Sequence, residues 1–380
     1  MNEPSHISKT SSEVTVDDYG LEVEDESSAG ISEPFDPSKI RVHTERKTID
    51  LIIRRYIHGE IDLAPDFQRR ARLWPLYRRS QLIESLLLKI PLPVFYVAAD
   101  QSDHWAVVDG LQRITTIVDF LKNDFALSGL EYLSTLENCL YSDLDRAMKR
   151  RIEETELVIN IIQPGTPDEV MMNIFKRINT GGIALNGQEI RNAIHKGPAR
   201  DFLRSLSTSP EFLLATNGSV NDDRMGAQEL ALRFVAFFRM DRHENSKNLD
   251  SLLNSTMKAL NHMGSLERHS LEEHFNRSMA LAFEIFGGDA FRKPSAIKKN
   301  PINKALFEAW AVNLAAIRQS DIGDLLRNRD LLISNYLSLY GEDKSFVDAV
   351  TASTGHNAKI IKRFMEIAKV IKMTLQGDRI

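Results

Sequence analysis

The stretch 105–121 limits most tightly what this chain can form. Trp105, Val107 and Val108 favour a buried strand, and Asp109-Gly110 is a turn pair. Ile114, Ile117, Val118 and Leu121 then recur at helical spacing. A strand that breaks directly into a helix aims the unpaired backbone N–H groups of the first turn at one point, where an anion can sit. Asp109 stands where an N-cap would. Arg113 falls in the first helical turn, where a cation opposes the helix dipole at a cost of roughly 0.3–1 kcal/mol. An anion between Arg113 and the helix end would remove that conflict, so the spacing suggests a phosphate site. An i,i+4 pair between Asp109 and Arg113 on an ordinary surface helix accounts for the same spacing. Spacing alone leaves both readings open.

The totals set the frame around this turn. A chain of 380 residues has room for about two or three domains. Hydrophobic and charged fractions of 42% and 27% are those of an ordinary globular protein. A formal net charge of -5 argues against a general nucleic-acid-binding coat but not against local basic patches. Cys139 is the one cysteine, which excludes an internal disulfide and a multi-cysteine zinc site. No run of about 18 apolar residues is present, so no membrane partner is expected. The polar, acidic N-terminus has neither the basic nor the apolar region of a secretory signal. The expectation is a soluble, cytoplasmic protein.

Along the chain, residues 1–38 read as a disordered acidic tail. Glu13, Asp17, Asp18, Glu22, Glu24, Asp25, Glu26 and Glu33 outnumber the base Lys9, with Ser, Gly and Pro between them. Such a tail is either a solubilising leader or an acidic shield for a basic cleft. Thr48 can cap a helix over 49–58, with Leu51, Ile52 and Tyr56 facing a core. A short strand near Ile61 leads into a proline-bounded loop carrying Gln68, Arg69, Arg70 and Arg72, with Phe67 and Trp74 interleaved. Arginine forks suit phosphates and aromatic faces suit bases. A solvated loop anchored by its aromatic residues fits equally well. Further predicted elements are a helix over 77–89, strands over 94–98, 104–108, 125–127 and 156–162, and helices over 144–152, 167–178 and 188–193. From Ala199 onward every pattern is helical, including 228–240, 249–262, 271–286, 303–317 and 359–375. The basic cluster of Arg292, Lys293, Lys298 and Lys299 reads best as solvated loop charge. The expected domains are therefore a tail (1–38), an α+β mixed-sheet domain (39–198) and an all-helical domain (199–380).

Three stretches together carry a family resemblance. They are Pro65-Asp66-Phe67-Gln68-Arg69 with Trp74, then Asp109-Gly110-Leu111-Gln112-Arg113-Ile114-Thr115-Thr116, then Phe175 to Gly182 followed by Leu185-Asn186-Gly187-Gln188-Glu189-Ile190-Arg191-Asn192-Ala193. In this order they resemble the N-terminal domain of GmrSD-type modification-dependent restriction endonucleases over roughly residues 40–235, including Glu229 and Arg233. That resemblance implies a ParB/sulfiredoxin-like fold and a role in a nucleotide-hydrolysing phage-defence system. The family signature is Asp-Gly-Gln-Gln-Arg. Asp109, Gly110, Gln112 and Arg113 match it, while Leu111 replaces the first glutamine and puts hydrolysis in question. The resemblance further implies that Gly110, Arg113, Gln68, Arg69, Arg177, Asn179, Gly181 and Gly182 line a nucleotide cleft. In such systems DNA cutting usually belongs to a His-Asn-His nuclease domain. His243, His262, His269 and His274 show no ligand pattern of that kind, so a separate nuclease subunit is the expected partner.

Hydrolysis of a nucleoside triphosphate needs charge on the phosphates, usually with Mg²⁺, and a group to place water. Arg113 and Arg69 would supply charge, Gln112 would place water, and Asp109 would orient Arg113 or hold hydrated Mg²⁺. One carboxylate makes a thin metal site, so no direct metal ligand is assigned. No Walker-type sequence is present. The leading function is a nucleotide-binding sensor or regulatory component of a DNA-targeting defence system. Two alternatives stand beside it: a non-catalytic DNA-binding module using Arg69, Arg70, Arg72 and Trp74, and a metal-dependent ParB-like nuclease. An oligomer is compatible with all three.

Overall fold

The computed structural model describes residues 20–22, 40–63, 74–178, 185–222, 224–240, 248–295 and 299–379. The chain divides into two compact units, residues 33–194 and residues 195–380 together with the N-terminal stretch. No helix among the described residues is long and apolar enough to cross a membrane.

The first unit is built on a mixed five-stranded sheet of order β1-β5-β3-β4-β2. Its strands are β1 (Val42–Thr48), β2 (Ile61–Asp62), β3 (Phe95–Ala99), β4 (Trp105–Asp109) and β5 (Glu156–Ile162). β1 runs antiparallel to β5, β5 parallel to β3, β3 antiparallel to β4, and β4 parallel to β2. Strand residues alternate between faces. Phe95, Val97, Trp105, Leu157, Ile159 and Ile161 join one core. That core is completed by α1 (Ile49–Ile57), α2 (Leu76–Leu87), α3 (Leu111–Leu121) and Ile152 of α4 (Arg146–Glu153). Ala98, Val108 and Ile162 face the other way. They pack with Met172 and Phe175 of α5 (Asp168–Ile178) and with Ile190 and Ala193 of α6 (Gly187–Ile194). The expected α+β architecture is present, with helices on both faces of the sheet.

Several local expectations change. Thr48 caps α1, accepting from the Leu51 N–H, but the Leu51 side chain is exposed while Ile52 is buried. β1 has no hydrophobic alternation because it lies at the sheet edge, and most of its side chains reach solvent. Residues 125–127 form no strand. Phe125 and Leu127 are buried, and Leu127 exchanges backbone bonds with Asn138 and Cys139 within an ordered loop. The hub of that loop is Glu84 on α2, whose carboxylate accepts the N–H groups of Glu131, Tyr132 and Leu133 at 3.1, 2.7 and 2.7 Å. Burial alone would raise the Glu84 pKa. The three donors outweigh it and hold the carboxyl below its ordinary value.

The second unit is helical in all its regular elements among the described residues. Helices α7 (Pro198–Ser207), α8 (Pro210–Thr216), α9 (Gly226–Arg239), α10 (Leu249–His262), α11 (Ser265–Phe286), α12 (Lys304–Ala315), α13 (Ile322–Arg327), α14 (Arg329–Glu342), α15 (Lys344–Thr351) and α16 (Asn357–Gln376) follow one another. α9 and α12 are buried along nearly their whole length and pack together at the centre. Their one polar seam is ionic. Arg233 donates to Glu229 at 2.8 Å and to Glu308 at 2.6 Å, and Arg363 on α16 donates to the second oxygen of Glu308.

Arg292 and Lys293 are not the solvated loop charge expected of them. Both are buried. Arg292 donates to Thr216 O, Gly288 O and Ser219 Oγ, and Lys293 pairs with Glu22. The solvated leader expected at the N-terminus likewise does not extend to Leu21 and Glu22, which are buried too. Lys298 lies outside the described residues, and Lys299 approaches Asp289 at 3.8 Å.

Candidate functional site

β4 ends at Asp109, and α3 begins one residue later. The linking Gly110 has φ +99° and is the helix N-cap, with no side chain to offer the helix amides. Asp109 is therefore not the cap. Another residue type cannot replace Gly110 easily: a Cβ there would stand 2.3 Å from Phe95 Cδ1, in a left-handed conformation.

Asp109 turns instead to Arg113, accepting from Nη2 at 2.9 Å. Arg113 is only 8% exposed. Its Nη1 donates to Pro93 O, its Nη2 also reaches Val94 O at 3.2 Å, and its guanidinium lies 4.1 Å from the centroid of the Phe95 ring. Burial pushes the Arg113 pKa below its ordinary value, while Asp109 works against that shift. The i,i+4 pair is thus present, but on a buried face. It fastens the first turn of α3 to residues 93–95, which lead into β3. Arg113 points its donors at protein oxygens, whereas the Asp109 side chain stays 34% exposed.

The backbone at this turn has a different character. Ile114 N–H closes the first helical bond onto Gly110 O. The amides of Leu111 and Gln112 lie before that bond, and the cap residue itself brings no side chain to them. A positive helix end behind a glycine that removes steric cover is the kind of turn suited to an anion. Leu111 is half-buried and packs against the first core. Gln112 is half-buried on the following position.

The remaining expected residues divide. Trp74 is half-buried and packs against the first core. Arg177 is exposed near the end of α5. Gln68, Arg69, Arg70, Arg72, Asn179, Gly181 and Gly182 lie outside the described residues. Among the described residues, no group of three or more His, Cys, Asp or Glu side chains is placed to hold a metal ion.

One polar cluster received no role from the sequence. α6 packs against β4 and opens with a capping box, in which Glu189 N–H donates to Asn186 Oδ1 and Asn186 N–H to Glu189 Oε2, both at 2.8 Å. Behind it Arg191 Nε donates to Gln188 Oε1 at 3.0 Å, and Gln188 Nε2 to Asn192 Oδ1 at 3.1 Å. Gln188, Arg191 and Asn192 are at most 2% exposed. Polar residues at i, i+3 and i+4 of so short a helix were the available signal, since a solvated face and a buried network share that spacing.

Residues 50–196 match the family model described as GmrSD restriction endonuclease, N-terminal domain. The resemblance read from the sequence is borne out over that segment, which is narrower than 40–235 and leaves Glu229 and Arg233 outside. No curated protein and no solved structure matches the chain.

Proposed function

We propose that the first unit binds a nucleoside triphosphate at the β4–α3 turn and acts as the sensing or regulatory component of a DNA-targeting restriction system, with DNA cutting supplied by another chain. The observation that carries this reading is the strand-to-helix turn at Gly110, a cap residue with positive φ and no side chain that opens α3, in a segment similar to a restriction endonuclease domain. Phosphate oxygens would take the amides of the first turn. Arg113 acts through the frame it builds and the charge it places beside Asp109, because its donors already hold Pro93, Val94 and Asp109. Gln112 would orient water. The carboxylate at the turn, Asp109, is engaged by Arg113, so the residues fit Mg²⁺ held chiefly by phosphate oxygens and water rather than by a protein cage. With Leu111 in the signature, binding rather than fast turnover is the expected activity. Arg69, Arg70 and Arg72 would meet DNA phosphates.

Titration calorimetry of the full chain against the four common nucleoside triphosphates, with and without Mg²⁺, tests the reading. Gln112→Glu is the informative variant. A carboxylate in the first turn favours the helix by roughly 0.3–1 kcal/mol but repels a phosphate. The expected result is saturable heat with at least one nucleotide in the parent, its loss in Gln112→Glu, and an unchanged or higher melting point for the variant. No heat with any nucleotide, or equal heat in parent and variant, overturns the proposal. DNA affinity that falls steeply with salt and ignores nucleotide would favour a plain DNA-binding module.

A further inference from the structure

The second unit buries a cation that the described residues of its helical part do not neutralise. Lys293 is 8% exposed, and its one ion pair among the described residues is with Glu22, far upstream in the chain. The other Glu22 oxygen accepts from Asn303 Nδ2 at 2.9 Å, and Asn303 is itself buried. A buried ammonium without a counter-ion is strongly unfavourable, so this part of the unit calls for an acidic ligand.

The three consecutive residues that answer it are recognised in three different ways. Glu22 N–H donates to Ile302 O at 2.9 Å, and Leu21 bridges Ile302 in parallel, as an added strand would. The Leu21 side chain is fully buried in the helical core. Gly20 has φ +77°, and a Cβ there would stand 2.3 Å from the backbone oxygen of Ser219. The walls are prepared independently of these residues. Arg292 ties Thr216 O and Ser219 Oγ to Gly288 O, and Asn303 also caps α12.

From this we infer that the second unit carries a binding site for an extended acidic peptide of the form Gly-Leu-Glu, which the chain fills with its own leader as an openable latch. A glycine for close approach, a leucine for an apolar hole and a carboxylate for Lys293 and Asn303 are the marks of a sequence-selective peptide site. Flanking Asp17, Asp18, Glu24, Asp25 and Glu26 make the latch the mooring point of the most acidic part of the chain. This inference does not depend on what the β4–α3 turn binds.

The test uses the full chain with its latch broken by Leu21→Ser and Glu22→Gln, and a fluorescein-labelled peptide of residues 14–28 as probe. Fluorescence anisotropy is expected to show saturable binding to the latch-broken chain, with wild type at least about tenfold weaker because its site is filled. A peptide carrying Gly20→Ala or Glu22→Lys is expected to bind at least about tenfold more weakly than the parent peptide. Failure of the probe to bind a latch-broken chain that still melts cooperatively, or equal binding of all three peptides, overturns the inference. Hydrogen exchange on the wild-type chain gives an answer even if that variant does not fold. The Glu22 amide is expected to exchange faster than the amides of α9 and α12. Exchange of all of them at one rate would make residues 20–22 a fixed part of the core and not a latch.

Discussion

Gly110 and Arg113 show how one residue type can be dictated by a neighbour distant in sequence. The turn at Asp109-Gly110 and the helix behind it were legible from residue types and spacing. The partners of Arg113 were not, because Pro93 O and Val94 O belong to the segment before β3 and only the folded sheet brings them near. The same holds for Phe95, which occupies the space a Cβ on residue 110 would need. Gly110→Ala combines left-handed strain with that collision. It is expected to cost about 2–4 kcal/mol, read as a lower urea midpoint at unchanged slope. Arg113→Ala leaves two carbonyls and the Asp109 carboxylate without their donor. A loss of about 2–4 kcal/mol is expected by the same measurement. Loss of nucleotide binding in Arg113→Ala would therefore say little by itself, which is why Gln112→Glu is the cleaner probe of the turn.

Elements were legible where burial imposes a period and obscure where it does not. β5 and α3 lie in the core; the Val and Ile content of β5 and the helical apolar spacing of α3 announce them. β1 sits at the edge and pairs on one side with β5 alone, so its sequence is polar and its strand nature comes from its partner. The stretch around Phe125 and Leu127 errs in the other direction. Its apolar residues are buried, but Leu127 pairs its backbone with Asn138 and Cys139 in a loop whose residues 131–133 are held by a carboxylate from α2, not with a neighbouring strand. That arrangement has a pH signature. The Glu84 carboxyl is held below its ordinary value, so its stabilisation is fully present above the usual glutamate range and disappears as pH falls through the lowered value. Glu84→Gln is expected to be less stable than wild type at neutral pH. The gap should narrow as acid titrates the wild-type carboxyl. A gap that stays constant down to acid-induced unfolding would show that the loop is held by something else.

Across the whole molecule, the apolar patterning along the chain indicated a mixed domain followed by helices but could not indicate which charges would be buried. The ion seam of Arg233, Glu308 and Arg363 joins α9, α12 and α16 through side chains that sequence alone would place on solvated faces. Glu308 and Arg363 are at most 1% exposed. Arg363→Met leaves Glu308 with Arg233 as its remaining partner and takes the donor from Thr354 O, so the second unit is expected to lose about 1–3 kcal/mol, visible as a lower melting point in calorimetry. Glu308→Gln combined with Arg363→Met should recover part of that loss, because the two residues interact directly.

The contact between Glu22 and Asn303 also sets a schedule. On a ribosome Glu22 emerges before the residues that receive it, which lie about 280 positions later. At roughly 5–20 residues per second, the leader waits on the order of 15 s to a minute before its berth exists. Through that interval Leu21 is an exposed apolar side chain beside a nascent chain full of unpaired partners. The acids that flank it, Asp17, Asp18, Glu22, Glu24, Asp25 and Glu26, give that segment charge enough to stay hydrated over such a wait.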